Sequence, residues 1–274
     1  MSEYQWVHFI ALDGPVSPKN MDYMRGQSTR ASVSPWEFTN EYNFGDFHGK
    51  SHEMLRRGYD LYFHFANYGV RNIELRLPEL PCDQKTFKLF VSKHEVDWTN
   101  DKRGKAGILT ICPEADAGTY EDYLMEPECF ARRFVGLREM LLRGDLRPLY
   151  VAWLATCCDD EQLEPPVPPG LGESVDAIDA MAELYELPQN MIAAAAQKSP
   201  TRPSSVGNEK RVCDWLKKQK KADLHDALKT SLLGDDGERR RLLMQITSGD
   251  EECIQLAPPS RTMGDLRKPN CDGH

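Results

Sequence analysis

The strongest constraint on the fold is an alternation of period two at residues 59–66. Tyr59, Leu61, Phe63 and Phe65 interleave with Asp60, Tyr62, His64 and Ala66. Successive side chains of a strand point to opposite faces, so this pattern specifies a strand. Asn67-Tyr68-Gly69 supplies turn residues, and Ile73, Leu75 and Leu77 then alternate with Glu74 and Arg76 until Pro78. The spacing predicts an antiparallel hairpin.

The flanking segments extend this sheet. Residues 4–13 read as a strand apolar on both faces, hence central, with Trp6, His8, Ile10 and Leu12 opposite Gln5, Val7, Phe9 and Ala11. Ser17-Pro18 starts a helix that runs to about Gly26. An extended segment at 31–44 is interrupted by Pro35, and Ser51 caps a short helix through Arg57. A short helix at 83–92 precedes a second hairpin, whose strands at 96–98 and 107–112 flank a charged turn.

After Pro113 the period changes. An acidic surface loop covers 114–128. Phe130, Phe134, Leu137 and Leu141 then form a helical stripe, and Asp145 caps a helix over 146–158. The connector EQLEPPVPPGLGE leads to helices at 174–187 and 188–197. The expected fold class is α+β: a mostly antiparallel sheet in the N-terminal part, then an α-helical C-terminal part. The expected divisions are an α+β domain at 1–115, a helical region at 116–197, a linker at 198–208, a helical segment at 209–247 and a fraying polar tail at 248–274.

Composition bounds the class. No apolar run approaches the ~20 residues that span a bilayer. The start lacks the basic and apolar regions of a secretory signal. Eight cysteines without CxxC spacing then read as reduced thiols rather than disulfides or a zinc site. These features set the expectation of a cytoplasmic protein with no membrane partner. Net charge is −9, of which residues 116–274 carry −8 (20 Lys/Arg against 28 Asp/Glu), and this acidity opposes non-specific nucleic-acid binding.

Several clusters are candidates for chemistry. Asp46, His48, His52 and Glu53, with Glu41 and His64 near in sequence, offer the imidazole and carboxylate groups that hold Zn, Mn or Fe or act as general acid and base. His48, His52 and His64 are the candidate metal ligands. The competing reading is a solvated loop and helix face, since Gly49 separates His48 from the helix that carries His52. Gly49-Lys50-Ser51 fails as a phosphate loop, because the required glycine would fall at Phe44. No cofactor motif is complete. The aromatic-rich hairpin reads as sheet core, with Tyr62, His64 and Arg76 as a candidate exposed face. Lys217, Lys218 and Lys221, within a basic run at 210–221 around Trp215, are a second candidate surface, although Asp214, Asp223 and Asp226 interleave as on a salt-bridged face. PPVPPGLG reads as a stiff connector before it reads as a polyproline ligand. Cys158, with no histidine positioned beside it, reads as a buried helix residue.

The segments EYNFGDFHG, YDLYFHFANYG with RNIELRLP, and GDLRPLYVAWLA followed by EPPVPPGLG resemble a family of bacterial proteins described as hypothetical. Its members share EYN-[WF]-GDF, AN-[WY]-G…LRLP, GDLR…Y and EPPVPPGLG over about residues 4–190. The resemblance implies no activity. The residues favour a cytoplasmic protein-interaction or adaptor protein without catalysis. The alternatives are a metal-dependent hydrolase or nuclease using Asp46, His48, His52 and Glu53, and nucleic-acid binding through the 210–221 helix.

Overall fold

The computed structural model describes residues 4–43, 45–92, 94–114, 127–202, 206–234 and 256–268, with 238, 242 and 246; residues 206–211 are described as backbone only. Seven strands form one antiparallel sheet: β1 (Gln5–Ile10), β2 (Ser32–Val33), β3 (Glu37–Tyr42), β4 (Leu61–Ala66), β5 (Val70–Leu77), β6 (Val96–Asn100) and β7 (Gly107–Ile111). Their order is β2-β3-β1-β4-β5-β7-β6, so the central strand expected at the N-terminus is central. The expected hairpin is β4 paired with β5, in the register Phe63 to Ile73, with Gly69 at positive φ in its turn.

Both faces of the sheet are covered. On one face Leu61, Phe63, Phe65, Ile73, Leu75 and Leu109 pack against helices. These are α4 (Pro127–Arg133), α5 (Val135–Leu142), α6 (Arg147–Thr156), α7 (Asp176–Leu184) and α8 (Gln189–Ala196). The N-terminal sheet and the helical region thus share one buried cluster. The expected single helix from Phe130 is two, separated at Phe134. On the other face Val7, Phe9, Phe38, Tyr62 and Ile108 meet α1 (Pro18–Arg25) and α2 (Ser51–Arg56) through Met21, Met24, Met54 and Leu55. Burying side chains of this size contributes about 1.5–3 kcal/mol each. The short helix α3 (Gln84–Phe87) is capped by Asp83, which accepts from the amides of Lys85 and Thr86.

Buried ion pairs join the layers. Arg138 of α5 donates to both oxygens of Asp13 (2.9 and 2.5 Å), to Asp60 (3.3 Å) and to the Arg76 carbonyl (2.7 Å). Asp60 also accepts from the amides of Leu12 and Asp13. Arg147 is held by Asp145 and donates to the Gly170 carbonyl at 2.9 Å. Asp145 also accepts from the Arg147 amide, so it caps α6 from just outside the helix.

The C-terminal segment departs from expectation. Residues 256–268 do not fray: they dock on the proline-rich connector through bridges Leu163 to Thr262 and Val167 to Ala257. Thr262 and Asp265 form a capping box on α11 (Met263–Arg267), whose Met263 and Leu266 are fully buried. Glu164 of the connector, buried, accepts from Arg261 (2.9 and 2.7 Å) and from the Tyr150 hydroxyl. The connector is therefore packed, as expected. The start of the expected linker is also fastened, with Ser199 donating to the Pro168 carbonyl at 2.8 Å and Arg202 pairing with Asp145. Beyond it stand α9 (Val206–Lys218) and α10 (Lys221–Leu233). The helix expected at 238–246 and the remaining tail lie outside the described residues, save positions 238, 242 and 246.

Candidate functional site

The cluster at 46–53 is dispersed. Asp46 lies on the loop before α2 and accepts from Gln5 (2.7 Å) and the Tyr68 hydroxyl (3.2 Å). His48 is exposed on the same loop. The helix begins at Ser51 with Lys50 at its N-cap, so His48 and His52 do not share a helical face. Ser51 does not cap: its hydroxyl donates to Glu74 at 3.1 Å. Glu53 pairs with Arg57 at 2.7 Å, a half-buried i, i+4 pair. His64 meets the Gln5 amide oxygen at 2.9 Å. Glu41 is exposed and accepts from Asn43. Among the described residues, no three His, Cys, Asp or Glu side chains are grouped to hold a metal ion.

Of the expected binding face on the hairpin, Tyr62 is buried and His64 and Arg76 are half-buried. Tyr62 is 3% exposed and stacks on Phe9, with ring centroids 4.2 Å apart. The reason is the cover supplied by α1, α2 and Phe47, whose ring fills the space a Cβ at Gly49 would occupy. His64 is half-buried beneath this cover. Arg76 turns toward Asp101 (2.6 Å) and the Gly107 carbonyl (3.3 Å).

Sequence pattern does not reveal the row of buried and half-buried polar side chains beneath that cover. Gln5, His64, Asn72, Glu74 and Thr110 lie across neighbouring strands β1, β4, β5 and β7, and α2 adds Ser51 and His52. Glu74 is 4% exposed, and burial pushes its carboxyl up to about 7 against the hydrogen bonds from Asn72 and Ser51. His52 approaches it at 3.6 Å, and burial lowers the His52 pKa. Glu74 alternates with Ile73 and Leu75 and so reads as solvent-facing. Met21, Met24, Met54 and Leu55, on two separate short helices, are the signal for the cover.

Two more histidines, the buried His8 and the half-buried His64, have lowered pKa values. Both ring nitrogens of His8 lack a hydrogen-bond partner, and Nε2 lies 3.8 Å from Glu37. Burial, with Arg132 adding, lowers His8 to about 4. Burial lowers His64 to about 4 as well, against the opposing charge of Asp46.

The basic helix pair is the exposed candidate. Lys217, Lys218 and Lys221 are exposed, and Lys217 pairs with Asp214 at 3.5 Å. No described residue of α10 is buried. Leu216, Leu228, Leu232 and Leu233 are 44, 59, 66 and 78% exposed. On another face of the pair a groove of about 600 Å³ is lined by Trp215, Asp223, Asp226 and Thr230 with Glu238 and Leu242.

Cys82, Cys112, Cys157, Cys158 and Cys213 form no disulfide. Cys158 is exposed, and its neighbour Cys157, at the C-cap of α6, is the buried one. Among the described residues no helix is long and apolar enough to cross a membrane. Compared with family models, with curated proteins and with solved structures, the chain matches none.

Proposed function

We propose that this chain is a cytoplasmic adaptor without catalytic activity, which grips an acidic amphipathic segment of a partner protein on α9–α10. The observation that carries the reading is the exposure of Leu216, Leu228, Leu232 and Leu233 on a helix pair whose second member buries nothing. Exposed apolar patches on an otherwise packed protein mark interaction sites. Leu224, Leu228 and Leu232 follow i, i+4 spacing, the geometry by which one helix takes another. Lys217, Lys218, Lys220 and Lys221 stand at the turn between the helices, where they complement an acidic partner.

Fluorescence anisotropy with an acidic peptide carrying leucines at i, i+4 tests this. Wild-type protein is expected to bind it. The double substitution L228E/L232E is expected to weaken binding about tenfold or more, since each buried leucine contributes about 1.5–3 kcal/mol. K217E/K221E is expected to weaken it and to reduce its salt dependence. Equal binding by the leucine variant, or binding of duplex DNA in place of the peptide, contradicts the reading.

A further inference from the structure

Glu74 sits mid-sheet on β5, between Tyr62 of β4 and Thr110 of β7. Its Oε1 is doubly satisfied, by Ser51 Oγ at 3.1 Å and Asn72 Nδ2 at 3.0 Å. Its Oε2 is buried and accepts no hydrogen bond. The group facing Oε2 is His52 Nε2, 3.6 Å away, which also lies 3.5 Å from Thr110 Oγ1. Among the described residues no lysine or arginine is ion-paired with Glu74. Arg56, on the next turn of α2, is committed to Asp101 at 2.9 Å, and Arg76 on β5 is committed to the same aspartate.

We propose that Glu74 and His52 share a proton that latches α2 onto the sheet, and that this cover loosens when the proton leaves. With Glu74 protonated, Oε2–H donates to the Nε2 lone pair of a neutral His52, and a small approach closes the bond. With Glu74 ionised, a neutral His52 can offer Oε2 one N–H only by moving its own proton to Nε2, and the buried negative charge still has no cation beside it. Such a group is costly to bury. The helix that would move carries Met54 and Leu55, so its release uncovers the aromatic cluster around Phe9 and Tyr62.

The surrounding charges set the direction. Burial raises Glu74 to about 7, with Arg56 opposing weakly. Burial lowers His52, Arg56 lowers it further, and Asp97 of β6 raises it. Cys112 beyond β7 and the Tyr62 phenol also face the carboxyl, and both are held protonated, chiefly by burial. A carboxyl whose folded value exceeds its ordinary 4.5 gives stability that is fully present below 4.5 and lost as pH rises through about 7. The latch therefore closes in acid and opens in weak base.

The test is a titration of the full chain by NMR from pH 5 to 9, following the Glu74 carboxyl carbon, the His52 ring and amide exchange in α2. Glu74 is expected to titrate near 7, the His52 ring signals to move in the same window, and α2 exchange to quicken above it. Glu74→Gln keeps a donor toward His52 and is expected to hold α2 exchange constant across the range and to melt higher than wild type at pH 8. A Glu74 midpoint below 5, or His52 signals that do not move with it, overturns the latch. So does α2 exchange in Glu74→Gln with the same pH dependence as wild type. Should that variant fail to fold, the wild-type titration decides.

Discussion

Acidification from pH 6.5 to 4 is expected to remove about 3 kcal/mol of stability through His8 alone, and a smaller amount through the half-buried His64. Both imidazoles have folded values lowered from 6.5 to about 4. In that window the unfolded chain binds protons that the folded chain refuses. The contribution is present above 6.5 and is lost as pH falls toward 4. Each pH unit by which burial holds an imidazole below its ordinary value is worth about 1.4 kcal/mol, so His8 accounts for the stated loss. That is a large fraction of the roughly 5–15 kcal/mol of a typical domain. Glu74 works in the opposite sense between 4.5 and about 7, so the stability maximum is expected near pH 6.5. Urea unfolding at a series of pH values measures this. His8→Leu is expected to flatten the acid limb by more than half. An acid limb unchanged in that variant would show that His8 charges freely in the folded state.

Arg261→Ala is expected to cost about 3–5 kcal/mol, because it leaves the Glu164 carboxylate buried without its cation. Arg261 donates twice to Glu164 and to the carbonyls of Ala194 and Ala195. One side chain therefore ties the C-terminal segment to the connector and to α8. Glu164→Gln combined with Arg261→Met is expected to restore part of the loss, since replacing both partners removes the stranded charge. Thermal and urea melts of the single and double variants read this directly. A loss below about 1 kcal/mol for Arg261→Ala, the scale of an exposed pair, would mean that the segment carries no weight in the folded state.

What is legible in the sequence follows from what local pattern can encode. The β4–β5 hairpin, the central β1 and the Ser17-Pro18 helix start each rest on a few adjacent residues, and each is present. The faces are harder. Period two assigns Tyr62 and Glu74 to the side opposite Phe63 and Leu75, but whether that side is wet depends on two distant short helices. Hence the pattern presents Tyr62 as surface and gives Glu74 no distinction, although both are buried. The histidine cluster fails for a related reason. Nearness in sequence brings His48 and His52 together, whereas Lys50 at the helix N-cap sets them on a loop and a helix. The C-terminal capping box at Thr262 and Asp265 is readable, with Met263 and Leu266 beside it, but a polar, proline-rich surround masks the signal. Cys157 and Cys158 show the limit of composition: adjacent thiols, one buried and one exposed, are separated only by where α6 ends.

The adaptor reading turns on what touches α10 in the cell. A photo-crosslinking side chain placed at Leu232 of the full chain, activated in living cells and mapped by mass spectrometry, measures that contact. The account predicts adducts that join position 232 to an acidic amphipathic segment of another protein and that decline when Lys217 and Lys221 are made acidic. Adducts confined to the same chain, or to nucleic acid, would contradict it.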